Sequence, residues 1–295
     1  MFSKGVRYML LSTLFFSLMN VCVKAVPHIP AAEVILFRSV VSLIMSFVVL
    51  RRAHLSVLGS KRNRWWLVAR GATGATALLL FFNTLQHIPL ATAATVQYIS
   101  PIFTAILGIF LVKEHVKPWQ WVFFLISFAG IIVINGIETE IDTFYLWLGV
   151  LSSLFSGLAY TIIRKLNTKE HPLVIIFYFP LVTIPIVGTY TMFNWVRPEG
   201  WDWALLLLVG VLTQLGQYYM TMSYQAEEIS KVANLNYIGI IYALVLGYFL
   251  FGEEFSLLTY SGMALVLLGV FLNMRFKSRQ LKRQAMQGAQ ASEAV

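Results

Sequence analysis

"ATAATVQYISPIFTAILGIFLVKE" occupies Ala91 to Glu114, and "SKVANLNYIGIIYALVLGYFLFGE" occupies Ser230 to Glu253. At an offset of 139, Tyr98 falls on Tyr237, Gly108 on Gly247 and Glu114 on Glu253, and beyond the stretch Gly130 falls on Gly269. At an offset of 140, "LSTLFFSLMNVCVK" (Leu11–Lys24) aligns with "LSSLFSGLAYTIIR" (Leu151–Arg164), and "VILFRSVVSLI" (Val34–Ile44) with "VIIFYFPLVTI" (Val174–Ile184). Self-similarity at one period along the chain marks two similar halves.

The material of both halves is apolar. Of 295 residues 58% are hydrophobic and 12% charged, with a mean hydropathy of +0.74, where a soluble domain carries about 25% charged residues. The apolar runs are long enough for helices crossing a hydrocarbon layer of about 30 Å. They lack the strand alternation of a β-barrel. The runs predict ten spans: Tyr8–Val26, Ala31–Leu50, Trp65–Leu85, Ala91–Val112, Trp119–Ile137, Phe144–Ile163, Leu173–Phe193, Trp203–Tyr224, Val232–Phe251 and Leu257–Met274. The expected fold is an all-α polytopic membrane protein, with halves at 1–137 and 143–274 and a basic tail at 275–295. The first span follows Lys4 and Arg7 but is too long for a signal peptide and is read as uncleaved.

Charge sets the expected orientation. Of the 22 Lys and Arg, 18 fall on the side of the N-terminus and only Lys24 and Arg197 on the other, with Arg38 and Arg70 inside spans. The positive-inside rule then puts both termini in the cytoplasm, in a bacterial inner membrane. This topology accounts for the net charge of +9, and nucleic acid is not an expected partner. The tail is read as a solvated anchor or as a basic flank against anionic lipid. Five spans per half is an odd number, so the halves enter the membrane inverted. Two near mirror-related packings of the same elements are the basis of alternating access in secondary carriers.

The two five-span halves, the Arg in the second span, the "QYISP" of the fourth and the Glu closing the fourth and ninth resemble EamA-type members of the drug/metabolite transporter superfamily. The resemblance covers Met1 to Met274. It implies a central cavity lined by the first four helices of each half. It also implies peripheral fifth and tenth spans, which in many relatives form homodimers.

A carrier needs polar groups facing a water-filled interior. The candidates for substrate binding are Asn20, Arg38, Asn83, Gln86, Gln97 and Tyr98 in the first half, and Tyr160, Tyr178, Gln214, Gln217, Tyr218, Asn234, Asn236 and Tyr237 in the second. Gln214, Gln217 and Tyr218 share a face of span eight, and Asn234 and Tyr237 a face of span nine. The alternative reading is interhelical hydrogen bonding. Pro101 is a candidate hinge, matched across the repeat by Ile240 next to Gly239. Glu33, five residues before Arg38, is a candidate proton site, or else an interfacial carboxylate in contact with water. Glu114 and Glu253 are read as structural groups at the turns that follow them.

Arg38 lies about 10 Å from the outer end of its span, too deep to snorkel, while Arg70 lies about 8 Å from the cytoplasmic end, within reach of headgroups. Arg38 either holds a substrate carboxylate or bonds backbone carbonyls. The five histidines form no metal pair, there is no nucleophile elbow or P-loop, and neither enzyme activity nor a cofactor or metal is expected. The expected function is secondary active transport of a small organic metabolite, amino acid-like or flat and aromatic. The alternatives are a cationic metabolite such as S-adenosylmethionine or choline, and, less favoured, a lipid flippase or a channel.

Overall fold

The computed structural model describes residues 4–113, 118–137, 142–166, 170–226, 235 and 238–293. Among these residues the chain is helical, with no strand. The helices are α1 (Lys4–Lys24), α2 (Ala31–Arg52), α3 (Arg64–His87), α4 (Leu90–Gln97), α5 (Ser100–Leu111), α6 (Pro118–Ile137), α7 (Thr143–Leu166), α8 (Pro172–Phe193), α9 (Asp202–Ala226), α10 (Ile238–Phe251) and α11 (Leu257–Glu293). Seven stretches are long and apolar enough to cross a membrane, α4 and α5 counting as one. Pro118–Ile134, Ile238–Phe251 and Leu257–Asn273 are shorter apolar segments. Large apolar side chains such as Leu125, Leu207 and Phe249 lie exposed on the outside, as expected where lipid is the solvent. The basic tail does not leave the last span as a loop, because α11 continues through it to Glu293.

The halves interleave. α1 packs chiefly on α9, α3 on α7, and α2 against both α8 and α9. Small residues and hydroxyls allow this closeness. Ser12 donates to the Gly216 carbonyl at 2.8 Å, Ser223 to that of Gly5 at 2.7 Å and Ser152 to that of Ala77 at 2.7 Å. Without a hydrophobic effect between helices in lipid, such contacts and close packing hold a bundle together. α6 and α11 pack on each other, Gly130 facing the Gly262 carbonyl and Gln120 donating to Asn273 at 2.8 Å.

The fourth span breaks at Tyr98 and Ile99, one turn before Pro101. Pro101 therefore sits in the first turn of α5, where a helix makes no use of its missing N–H. Gly239, in the first turn of α10, packs against the Tyr98 hydroxyl so closely that a Cβ would collide with it. The interruption of the fourth span and the start of α10 thus meet.

Glu253 does more than end a helix. Gly252 adopts a φ of +64° and Glu253 N–H returns to the Gly247 carbonyl at 3.2 Å, a left-handed glycine stop. The turn aims the Glu253 carboxylate at the start of α4, where Leu90 N–H donates to its oxygens at 2.8 and 2.9 Å. Free N–H groups and the positive end of the helix dipole favour a carboxylate there. Lys24 completes the knot with an ion pair to Glu253 at 3.0 Å and a hydrogen bond to the Ile88 carbonyl at 2.7 Å. The role expected at the next turn is instead a tie between α1, α4 and α10.

Candidate substrate site

Arg38 is buried, 8% exposed, on α2. Its Nε donates to Thr213 Oγ1 on α9 at 3.0 Å, and Thr213 in turn donates to Met19 Sδ on α1 at 2.9 Å. Its guanidinium carbon lies 5.3 Å from the Phe179 ring centroid on α8. Nη1 is buried without a hydrogen-bond partner. The backbone-carbonyl reading of Arg38 finds no hydrogen bond to support it among the described residues. One turn further along α2, Ser42 donates to Gln214 Oε1 at 3.2 Å.

Arg70 departs from expectation. It does not reach for headgroups but folds inward along α3, its guanidinium 5.0 Å from the same Phe179 ring. Nε and Nη1 are buried and unpartnered. The reason is Gly74, four residues on, where an added Cβ would meet both Arg70 Nη1 and the Phe179 ring. Residues at i and i+4 share a helix face, so the missing side chain leaves a slot for the guanidinium. A cation over an aromatic face gains electrostatic attraction, which helps offset leaving water.

Tyr160 on α7 lies near both Arg70 and Tyr98, close enough to interact electrostatically. It is 48% exposed, yet Leu151, nine residues earlier, is the exposed residue of the outer stripe. Nine residues at 3.6 per turn is about half a turn, so Tyr160 points away from that stripe. A half-exposed tyrosine on the inner side of its helix opens onto space within the bundle. Arg38, Arg70, Phe179, Tyr160 and Tyr98 form the centre of the site.

The other candidates scatter. Tyr178 is buried and donates to the Leu58 carbonyl at 2.9 Å, pinning the α2–α3 loop. Gln97 donates to Ser156 at 2.8 Å and accepts from Ser152 at 3.1 Å, joining α4 to α7. Gln86 donates to the carbonyls of Val26 and Ile29 at 3.1 and 3.0 Å, and Asn83 to that of Leu79 at 3.1 Å on its own helix. With His28, His87 and Tyr190, Asn83 and Gln86 line a separate cavity of about 240 Å³ at the Lys24 end of the bundle. Asn20 keeps a buried, unpartnered Oδ1. Tyr218, 56% exposed, shares the outer stripe of α9 with Leu207, while Gln217 follows Thr213 at i+4 on the inner side. Asn234, Asn236 and Tyr237 lie outside the described residues.

Glu33, in the first turn of α2, is 0% exposed. Its Oε2 accepts from Val196 N–H at 3.1 Å, and Oε1 has no partner. Three members of the site, Arg70, Phe179 and Thr213, were not among the sequence candidates. The signal for Arg70 was present as Gly74 four residues on.

Residues 3–136 and 143–275 each match the family described as the EamA-like transporter family. The chain belongs to that family. This EamA-like chain is 30% identical over 280 residues to the pseudopaline exporter CntI of Pseudomonas aeruginosa, covering 92% of this chain and 96% of that protein. It is 26% identical over 257 residues to human solute carrier family 35 member G1, covering 82% and 70%. To the S-adenosylmethionine uptake transporter of Rickettsia felis it is 27% identical over 186 residues, covering 60% and 62%. A solved crystal structure shares the fold with a TM-score of 0.62 at 19% identity, covering 94% of this EamA-like chain and 98% of the other. The EamA-like chain is an integral membrane protein of a transporter family.

Proposed function

We propose that the protein is a secondary carrier that moves a small organic metabolite by alternating access, with ten spans in two inverted halves, 1–137 and 143–274, and both termini in the cytoplasm of a bacterial inner membrane. The observation that carries this reading is the half-exposed Tyr160 facing inward near Arg70, whose buried Nε and Nη1 lie unpartnered and whose guanidinium shares the Phe179 ring with Arg38, since polar groups at this depth are stable only where they line a cavity or find partners. The packing supports the inversion. α1 corresponds to α7 and α3 to α9 across the sequence repeat, so the α1–α9 and α7–α3 contacts are each other's images. The 18-to-2 distribution of Lys and Arg supports the orientation.

The substrate reading is an amino acid-like or flat aromatic metabolite bearing an acidic group, because Arg38 and Arg70 offer positive charge and Phe179 a ring face. A cationic metabolite, suggested by likeness to the S-adenosylmethionine transporter, would meet repulsion from both arginines. The test is counterflow in liposomes. Saturable exchange of an acidic metabolite supports the carrier, whereas flux that never saturates marks a channel.

Glu33, buried with one free oxygen, is the carboxylate we assign to proton coupling. Glu33→Gln keeps an acceptor for the Val196 N–H and removes the charge. It should abolish the response of uptake to an imposed proton gradient while the protein stays folded; an unchanged response rules Glu33 out.

A further inference from the structure

Two arginines reach one aromatic ring from opposite ends of the bundle. Arg38 sits seven residues into α2 from the Lys24 end, and Arg70 six residues into α3 from the other. Both guanidiniums lie on Phe179, at 5.3 and 5.0 Å from its centroid. Two like charges gathered on one ring repel each other. Among the described residues neither is paired with a carboxylate. Arg38 Nη1, Arg70 Nε and Arg70 Nη1 are buried donors without acceptors.

Two uncompensated guanidiniums inside a membrane protein are costly twice over, through desolvation and through mutual repulsion. A purely structural arginine would have its donors satisfied by backbone or side-chain oxygens. Here Thr213 takes one N–H of Arg38, and among the described residues Arg38 Nη1, Arg70 Nε and Arg70 Nη1 find no acceptor. What is missing is negative charge and acceptor oxygens, in two places. A carboxylate accepts paired N–H bonds from a guanidinium fork.

We infer that Arg38 and Arg70, both held against the Phe179 ring, form a two-point clamp for a small organic dianion with two separated carboxylates. The inference rests on the carrier reading for its transport role and refines the substrate class from one acidic group to two. Phe179, in contact with both cations, offers a ring to the apolar segment between the carboxylates. Gly74 keeps the slot open in which Arg70 lies. Because each arginine belongs to a different end of the bundle, a bridging ligand would neutralise both in the occluded protein.

The test uses the full chain in lipid nanodiscs, with melting followed by intrinsic tryptophan fluorescence at constant ionic strength. The probes are succinate, glutarate, adipate and suberate, with hexanoate, dimethyl adipate and inorganic phosphate as comparisons. One of the dicarboxylates should stabilise the protein with a half-saturation concentration roughly 10- to 100-fold below that of hexanoate. Arg70→Gln and Arg38→Gln should each erase that advantage, and dimethyl adipate should do nothing. Gly74→Ala, which keeps both charges but crowds the Arg70 slot, should weaken dicarboxylate binding more than hexanoate binding, so a glutamine variant that fails to fold does not remove the test. Equal effects of hexanoate and the dicarboxylates, a dicarboxylate response untouched in Arg70→Gln, or inorganic phosphate outcompeting every dicarboxylate would each overturn the clamp. Dicarboxylate binding without counterflow would remove the carrier reading and leave the clamp. Counterflow of another solute, unchanged in Arg70→Gln, would do the reverse.

Discussion

At the scale of single residues, the question is what keeps charge inside the membrane. Among the described residues Arg38 makes one hydrogen bond, from Nε to Thr213, and one ring contact. Arg38→Lys retains the charge but loses the fork. The loss of that single bond should cost about 1 kcal/mol, so the variant should reach the membrane and melt only a few degrees early, while its response to acidic ligands falls. A variant that never accumulates in the membrane would mark Arg38 as structural. Position along a span was a good guide to Arg38 and a poor one to Arg70. Depth counted from a helix end says how far a side chain must travel to water, but not whether a neighbour four residues on has left it a slot. Gln97 and Tyr178 show the complementary limit. Their residue types were polar enough to line a cavity, yet serine hydroxyls and a loop carbonyl took them, and those partners are distant in sequence.

At the scale of elements, the apolar runs gave nearly every helix because lipid imposes length and internal hydrogen bonding on any segment that crosses it. The break in the fourth span was legible as Pro101 but displaced by a turn, since proline is tolerated in the first turn of the helix that follows. The knot of Lys24, Glu253 and Leu90 N–H joins α1, α10 and the start of α4, at the end of the bundle assigned to the outside. Glu253→Gln should loosen it. In a Cys22→Ser background, which removes the single cysteine, Tyr160→Cys should react several-fold faster with an impermeant maleimide added outside once Glu253→Gln is present. Labelling at an unchanged rate would mean that the knot stabilises the helices without gating the cavity. Gly252→Ala should act in the same direction, because a φ of +64° costs a residue with a Cβ about 1 kcal/mol and the carboxylate would lose its aim.

At the scale of the whole molecule, the repeat and the packing describe different things. The repeat divides the chain near residue 140, yet the main partner of α1 is α9, that of α3 is α7, and α2 lies against α8 and α9. Each half therefore leaves its hydroxyl and glycine faces unfilled when alone, with Ser12 and Ser152 lacking the carbonyls of Gly216 and Ala77 that they now bond. A polar group unsatisfied in hydrocarbon costs several kcal/mol, and several such groups per half exceed the stability of an ordinary domain. Segments 1–141 and 142–295, expressed separately, should be degraded or remain in aggregates. Expressed together they should co-purify and regain ligand-induced stabilisation, because the second half carries its own charge bias for insertion and each half supplies the other's missing surface. A first half that accumulates alone as a stable monomer would show that its faces close within the half, and the interleaved packing would then not be what holds the fold.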